Sequence, residues 1–227
     1  MNNISNKNLV LDFYKKVVKE RSGDLIDTYV SDDYIQHSPS MKDGKAGLRE
    51  AIEYLKLMPK PKEEKSPILL AVEDGDYVML LLDLSLMGKH LSVADLFRVI
   101  DGKIVEHWDA VQHITGDHVN TPELNVVEGG NKVSEHNKSL IRSIFEGDVL
   151  AKNLNKEFSD TLFQRRPMKL HRILSSGNVV GVQSEGRRSG KAFVFYDFLK
   201  IADSRITKHW SVEQEIPATM GHNNGMI

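Results

Sequence analysis

The sequence predicts an α+β protein built from two related units. Three observations carry this: an internal repeat, the order of helix before strands within each copy, and an Asp-Gly turn between two strand-like runs. "DLFRVIDGKIVEHWDAVQ" at 95–112 returns, 102 positions later, as "DFLKIADSRITKHWSVEQ" at 197–214. Asp95/Asp197, Asp101/Asp203, Ile104/Ile206, His107/His209, Trp108/Trp210 and Gln112/Gln214 are identical. "GDYV" at 75–78 aligns with "GNVV" at 177–180 at the same offset. Upstream the offset becomes 128, where "YVSDDYIQHSP" at 29–39 matches "EFSDTLFQRRP" at 157–167. The offset falls from 128 to 102, so the second copy lacks 26 residues. Fixed-period self-similarity of this kind marks repeated structural units.

Each copy opens on an amphipathic helix, with Leu9, Phe13 and Val17 in the first and Leu140, Ile144 and Phe145 in the second. A segment ending in "YIQH" or "LFQR" follows. The stretch missing from the second copy reads as a further helix, with Leu48, Ile52, Leu55 and Met58 at helical spacing, and then a Pro/Lys-rich loop. Strand-like runs follow at about 67–74, 76–88, 90–100 and 103–112 in the first copy. Asp101-Gly102 between the last two signals a hairpin. Helices first and a block of strands later argue for α+β over a parallel α/β fold. The expected organisation is a first unit at 1–116, a linker rich in Gly, Asn and charge at 117–133, and a shortened second unit at 134–227 without the extra helix.

Composition narrows the function. The 227 residues are 40% hydrophobic and 27% charged, ordinary for a globular protein. A net charge of −2 supplies no basic field for nucleic acid. No apolar run approaches the roughly 18 residues of a membrane span. The N-terminal "MNNISNKNLVLDFYKK" lacks the layout of a signal peptide, so a cytoplasmic location is expected. There is no cysteine, which excludes disulfides, thiolate metal sites and Cys nucleophiles. No Gly-rich strand–helix fingerprint and no GxSxG is present, and no cofactor is expected. "HWDAVQH" gathers two His and an Asp but no fixed third partner, so no metal is expected.

Individual residues suggest acid–base chemistry. Asp95 lies in the apolar strand "SVADLFRVI", sharing a face with Val93, Phe97 and Val99. A carboxylate there needs a partner or a function, and burial raises its pKa toward neutrality. His37 lies ahead of the first unit's second helix, where it could close a pocket mouth; alternation puts Gln36 on the opposite face, and His37 is preferred as the inward one. Asp83 interrupts "YVMLLLDLSLMG" and could form a carboxylate pair with Asp95. In the last strand, alternation groups Ile104 with Trp108 and His107 with Asp109. The Ile–Trp face is expected inward and His107 outward, toward a pairing surface between the units. Each of these residues also has a purely structural reading, as a capped turn, a packed wall or a solvent-facing charge.

"YIQHSPSMKDGKAGLREAI", "EDGDYVML", "VADLFRVIDGKIVEHWDAVQ" and the terminal "HNNGMI" resemble the SnoaL-like polyketide cyclase family, in the branch of proposed aldol-condensation-catalysing enzymes, within the nuclear-transport-factor-two-like superfamily. The resemblance covers nearly all of residues 5–113 and is weaker over 134–227. It implies two cone-shaped barrels, each a curved antiparallel sheet wrapped by helices around an apolar pocket, paired through the outer faces of their sheets. By the resemblance, Asp95 falls on the aspartate that transfers the proton; the residue reading adds His37 as a second catalytic residue and Asp83, Trp108, Phe97, Tyr34 and Gln36 at the substrate. The expected activity is cofactor-independent cyclisation or isomerisation of a small apolar carbonyl compound. The alternative is a non-catalytic module that holds a hydrophobic ligand or stabilises a partner. A homodimer of the tandem chain is a further expectation.

Overall fold

In the computed structural model, described residues are 4–59, 66–86, 88–114, 130–146, 158, 160, 162, 164–166 and 168–227. They form two curved sheets, each with helices on its inner face. The first unit begins with α1 (Asn6–Phe13), capped by the Ser5 hydroxyl and continued by π-helical turns over Tyr14–Lys19. Then come α2 (Ile26–Tyr29), β1 (Val30–Gln36), α3 (Gly44–Leu57), β2 (Ile68–Asp74), β3 (Tyr77–Leu86), β4 (Lys89–Ile100) and β5 (Lys103–Ile114). The sheet order is β1-β5-β4-β3-β2. Its strands are antiparallel except that β1 joins the β5 edge in parallel. The second unit has α4 (Asn131–Glu146) and then β6 (Lys169–Ser176), β7 (Val179–Arg188), β8 (Lys191–Ala202) and β9 (Arg205–Glu215), paired in that order.

The expected helix over the first unit's insertion is α3. In the second copy β6 begins four residues after Arg165, which leaves no room for its counterpart. Where the first copy extends as β1, the second has helical residues Phe158, Asp160, Leu162 and Gln164. Residues 117–129 of the expected linker lie outside the described residues, and Asn131 already begins α4.

Three apolar clusters organise the molecule. Val10, Phe13, Val17, Leu48 and Ile52 from the helices pack on Val78, Leu80, Phe97 and Ile104 inside the first cone. Ile141, Ile144 and Phe145 of α4 pack on Val180, Val182, Leu199 and Ile206 inside the second. Between the cones, Met79, Leu81, Ala94, Leu96 and Trp108 of the first sheet meet Leu174, Val194, Tyr196, Phe198 and Val212 of the second. The sheets therefore pair by their outer faces. Burying each such large apolar side chain contributes about 1.5–3 kcal/mol. The pairing follows the duplication: the Val111 N–H donates to Gln214 Oε1 at 2.7 Å, and the Glu213 N–H to Gln112 Oε1 at 3.1 Å. Repeat-equivalent residues thus exchange equivalent bonds across a pseudo-twofold axis.

The C-terminal tail leaves the second sheet and crosses the first cone. Gly221 donates its N–H to Pro39 O at 3.0 Å. A Cβ at Gly221 would lie 2.4 Å from Met41 O, so only glycine allows this approach. Further along, Asn224 Nδ2 donates to Gln36 O at 3.0 Å, and Met226 is buried between the sheets. Among the described residues no helix is long and apolar enough to cross a membrane.

Candidate acid–base site

The hairpin at Asp101-Gly102 decides which residues of β5 face inward. Asp101 and Gly102 hold φ of 49° and 72°, as a tight two-residue turn requires. Ile100 pairs Lys103 and Val99 pairs Ile104, but Arg98 then pairs Glu106. Val105 is an extra residue, a β-bulge, which flips the alternation beyond it. Ile104, His107, Asp109 and Val111 consequently share the inner face, while Glu106, Trp108, Ala110 and Gln112 face the second sheet. Two expectations are corrected here. Trp108 is not a pocket wall but a buried residue of the interface between the cones. His107 is not on the pairing face; it lies inside the first cone, stacked on Phe97 at 4.6 Å. His209 is likewise inside the second cone, because β9 carries the same irregularity after Ile206.

Asp95 is on the inner face and is 4% exposed. Its Oδ2 accepts from the Tyr14 hydroxyl, and its Oδ1 lies 3.0 Å from His107 Nε2. The other ring nitrogen, Nδ1, lies 3.0 Å from Gln36 Oε1. That amide oxygen also accepts from the backbone N–H groups of His37 and Ser38 at 3.0 and 2.9 Å, which fixes its orientation. Facing an obligate acceptor, Nδ1 carries a proton. The Asp95–His107 contact therefore holds one further proton between Nε2 and Oδ1. Burial alone would lower the His107 pKa, but the hydrogen bond and charge of Asp95, with the charge of Asp109, raise it above the ordinary imidazole value.

Asp109 is directly opposite Asp95. Its Oδ1 is buried without a hydrogen-bond partner. Burial raises its pKa to about 6, helped by the Asp95 charge and opposed by the His107 charge and a hydrogen bond with Ser38. Two carboxyls on adjacent strands thus have different surroundings: Asp95 is hydrogen-bonded by His107 and Tyr14, while Asp109 keeps an unpartnered oxygen and is poised near neutrality. Tyr34 completes the group. Its hydroxyl accepts from Gln36 Nε2 at 2.8 Å, which leaves its own proton to donate. Burial, then the charges of Asp109 and Asp95, push its pKa well up, so it stays a phenol.

The other expected residues separate from this group. Gln36, not His37, points inward. His37 stacks on Trp108 at 4.8 Å and bonds Glu106 Oε1 and Gly225 O, each at 3.0 Å, on the outer side. Asp83 shares the outer face with Met79 and Leu81 and pairs with His90, so it forms no pair with Asp95. Sequence reading missed Tyr14, His107 and Asp109. The Asp101-Gly102 turn was the available signal for Asp109, but counting back from it without the bulge puts Trp108 opposite Asp95. Among the described residues no group of three or more His, Asp or Glu is arranged to hold a metal ion.

The second cone keeps the aspartate and removes its freedom. Arg165 Nη1 donates to both Asp197 oxygens at 2.9 Å, and His209 Nε2 approaches Oδ1 at 2.6 Å. Burial alone would raise the Asp197 pKa, but the Arg165 charge and the His209 hydrogen bond hold it well below the usual carboxylate range. Ser211 stands where the first cone has Asp109, and it accepts from Arg165 Nη2 at 2.9 Å. The Asp197 carboxyl is thereby held in its charged form.

The first unit is a helix-covered sheet with ionisable groups on its inner face. Residues 10–107, most of the first unit, match the family described as the SnoaL-like domain. No curated protein matches the chain. Among solved structures, an NTF2-like protein from Cytophaga hutchinsonii is 18% identical and matches with a TM-score of 0.38, covering 50% of this chain and 95% of its own. A proposed polyketide cyclase from Acidithiobacillus ferrooxidans is 20% identical with a TM-score of 0.40, covering 49% of this chain and 92% of its own. TsrD from Streptomyces laurentii is 18% identical with a TM-score of 0.38, covering 48% and 92%.

Proposed function

We propose that the first cone is a cofactor-independent acid–base catalyst that moves a proton next to the carbonyl of a small apolar compound, as in aldol-type cyclisation or isomerisation. The observation that carries this reading is Asp109, a carboxylate with an orphaned oxygen and a pKa near 6. A general base works best when its pKa lies near the operating pH. Asp109 would take the α-proton, and the Tyr34 hydroxyl would donate to the oxygen that becomes an enolate. The Asp95–His107 pair, tied to Tyr14 and Gln36, would hold the His107 ring in place beside Asp109 as it gains or loses its proton. This moves the proton-transfer role from Asp95 to the carboxylate opposite it.

The second cone would serve as scaffold. Its own aspartate is locked by Arg165, while its tail supports the first cone's Gln36–Ser38 segment through His222 and Asn224. The test is exchange of α-protons for deuterium in a panel of cyclic and aromatic ketones, followed by NMR. The wild-type chain should accelerate exchange for at least one ligand. Asp109→Asn should lower that rate by about 100-fold or more, the contribution of a positioned general base, while binding persists. If ketones bind but exchange proceeds at the solvent rate, the chain is a binding module.

A further inference from the structure

The cleft between the two cones lies on the outer side of the sheets, away from the acid–base site. It has a volume of about 810 Å³, within the usual small-molecule range of roughly 300–1,000 Å³. Tyr77 of the first cone forms one wall, and Ile173 and Leu174 of β6 add apolar surface. The cations of the cleft are not equally partnered. Lys138 pairs with Asp74 at 2.9 Å and with Glu135 at 2.7 Å, and Lys169 lies 3.8 Å from Glu185. Arg172 has no carboxylate among the described residues. Its Nη1 donates to Gln183 Oε1 at 2.5 Å, and its guanidinium lies 4.1 Å from the centre of the Trp108 ring and 5.7 Å from that of Tyr77. Aromatic faces support a cation but do not use up its N–H fork.

A second polar group in the same cleft is also unsatisfied. His171 Nε2 is buried without a hydrogen-bond partner, 3.6 Å from Glu185. Burial lowers the His171 pKa, against the pull of the Glu185 charge. Lys138 and Lys169 each have a carboxylate close by, whereas Arg172 has none among the described residues. A partly buried guanidinium without an anion is costly, whereas a carboxylate ligand would meet it through two parallel N–H bonds.

We infer that this cleft binds a small organic monoanion, a carboxylate with an apolar body, which pairs with Arg172 and lies against Tyr77, Ile173 and Leu174. The site is independent of the acid–base reading, since none of its residues lies inside the first cone.

The test uses the full chain and four probes: octanoate, cyclohexanecarboxylate, 1-octanol and inorganic phosphate. Calorimetry gives stoichiometry and affinity. Tryptophan fluorescence in Trp210→Phe reports on Trp108 alone. Both carboxylates should bind once per chain and change the Trp108 emission. The alcohol and phosphate should bind at least about tenfold more weakly, since each lacks one half of the recognition. Arg172→Gln should weaken carboxylate binding by about tenfold or more, and Arg172→Lys should recover part of it. Asp109→Asn should leave it unchanged. The inference is overturned if neither carboxylate saturates the wild-type chain, if Arg172→Gln binds them as well as wild type, or if the alcohol or phosphate binds equally tightly.

Discussion

Asp109→Asn is expected to stabilise the chain by about 2–3 kcal/mol at pH 7 and to leave it nearly unchanged near pH 4. The displacement of the Asp109 pKa from the ordinary 3.8 to about 6 corresponds to a penalty of about 3 kcal/mol on the ionised side chain in the folded state. The sign follows from proton uptake. A carboxyl whose pKa is raised by folding binds more protons folded than unfolded between those two values, so stability falls as pH rises from about 4 to about 6. Above that window the full penalty remains. Asparagine has the same shape and no charge, so it removes the penalty where the aspartate is ionised and changes little where it is protonated. Urea denaturation of both proteins at pH 4 and pH 7 checks this. Equal stability at pH 7 would mean that Asp109 is an ordinary carboxylate. A side chain whose removal strengthens the fold and abolishes proton exchange is retained for chemistry, the trade common at active sites.

The second large effect lies in the other cone and has the opposite sign. Arg165→Met should destabilise the protein by about 3–5 kcal/mol, because it leaves the fully buried Asp197 with His209 as its remaining partner. Methionine replaces the guanidinium's packing on Phe195, where the two lie 4.2 Å apart, so the loss is one of charge and hydrogen bonds more than of volume. Arg165→Met combined with Asp197→Asn should recover most of the loss, since the uncompensated charge then disappears. The double variant should exchange ketone α-protons at the wild-type rate, because Asp109, Tyr34 and the Asp95–His107 pair lie in the first cone. Slowed exchange in the stable double variant would show that the second aspartate takes part in the reaction.

The architecture was legible because repeats and periodicity report on burial. The duplicated "HW…Q" strand, the Asp-Gly turn and the helical spacing of Leu48, Ile52 and Leu55 depend on local sequence alone, and they located both sheets and α3. Asp95 stood out as a carboxylate in an apolar strand, which again needs no long-range knowledge. The remainder of the site depends on one bulge. Alternation is a strict two-residue period, so a single extra residue at Val105 exchanges the faces of His107 and Trp108 and brings Asp109 opposite Asp95. No residue type in "KIVEHW" announces that insertion. Tyr14 was invisible for a different reason, since its partner is 81 positions away and reaches it only through tertiary packing. Gln36 and His37 were recognised as facing opposite ways, but the choice between them was settled by the C-terminal tail. The tail bonds His37 through Gly225 and leaves Gln36 to orient His107.

The central claim is that the first cone keeps a carboxylate ready to exchange a proton near neutral pH, and that the second cone does not. Carbon-detected NMR titration of the aspartate side-chain carboxyls in the full chain tests it most directly. The account predicts that Asp109 titrates with an apparent pKa of about 6, while Asp197 stays ionised throughout the accessible acidic range. An Asp109 midpoint near 4, or an Asp197 that titrates alongside it, would contradict the account.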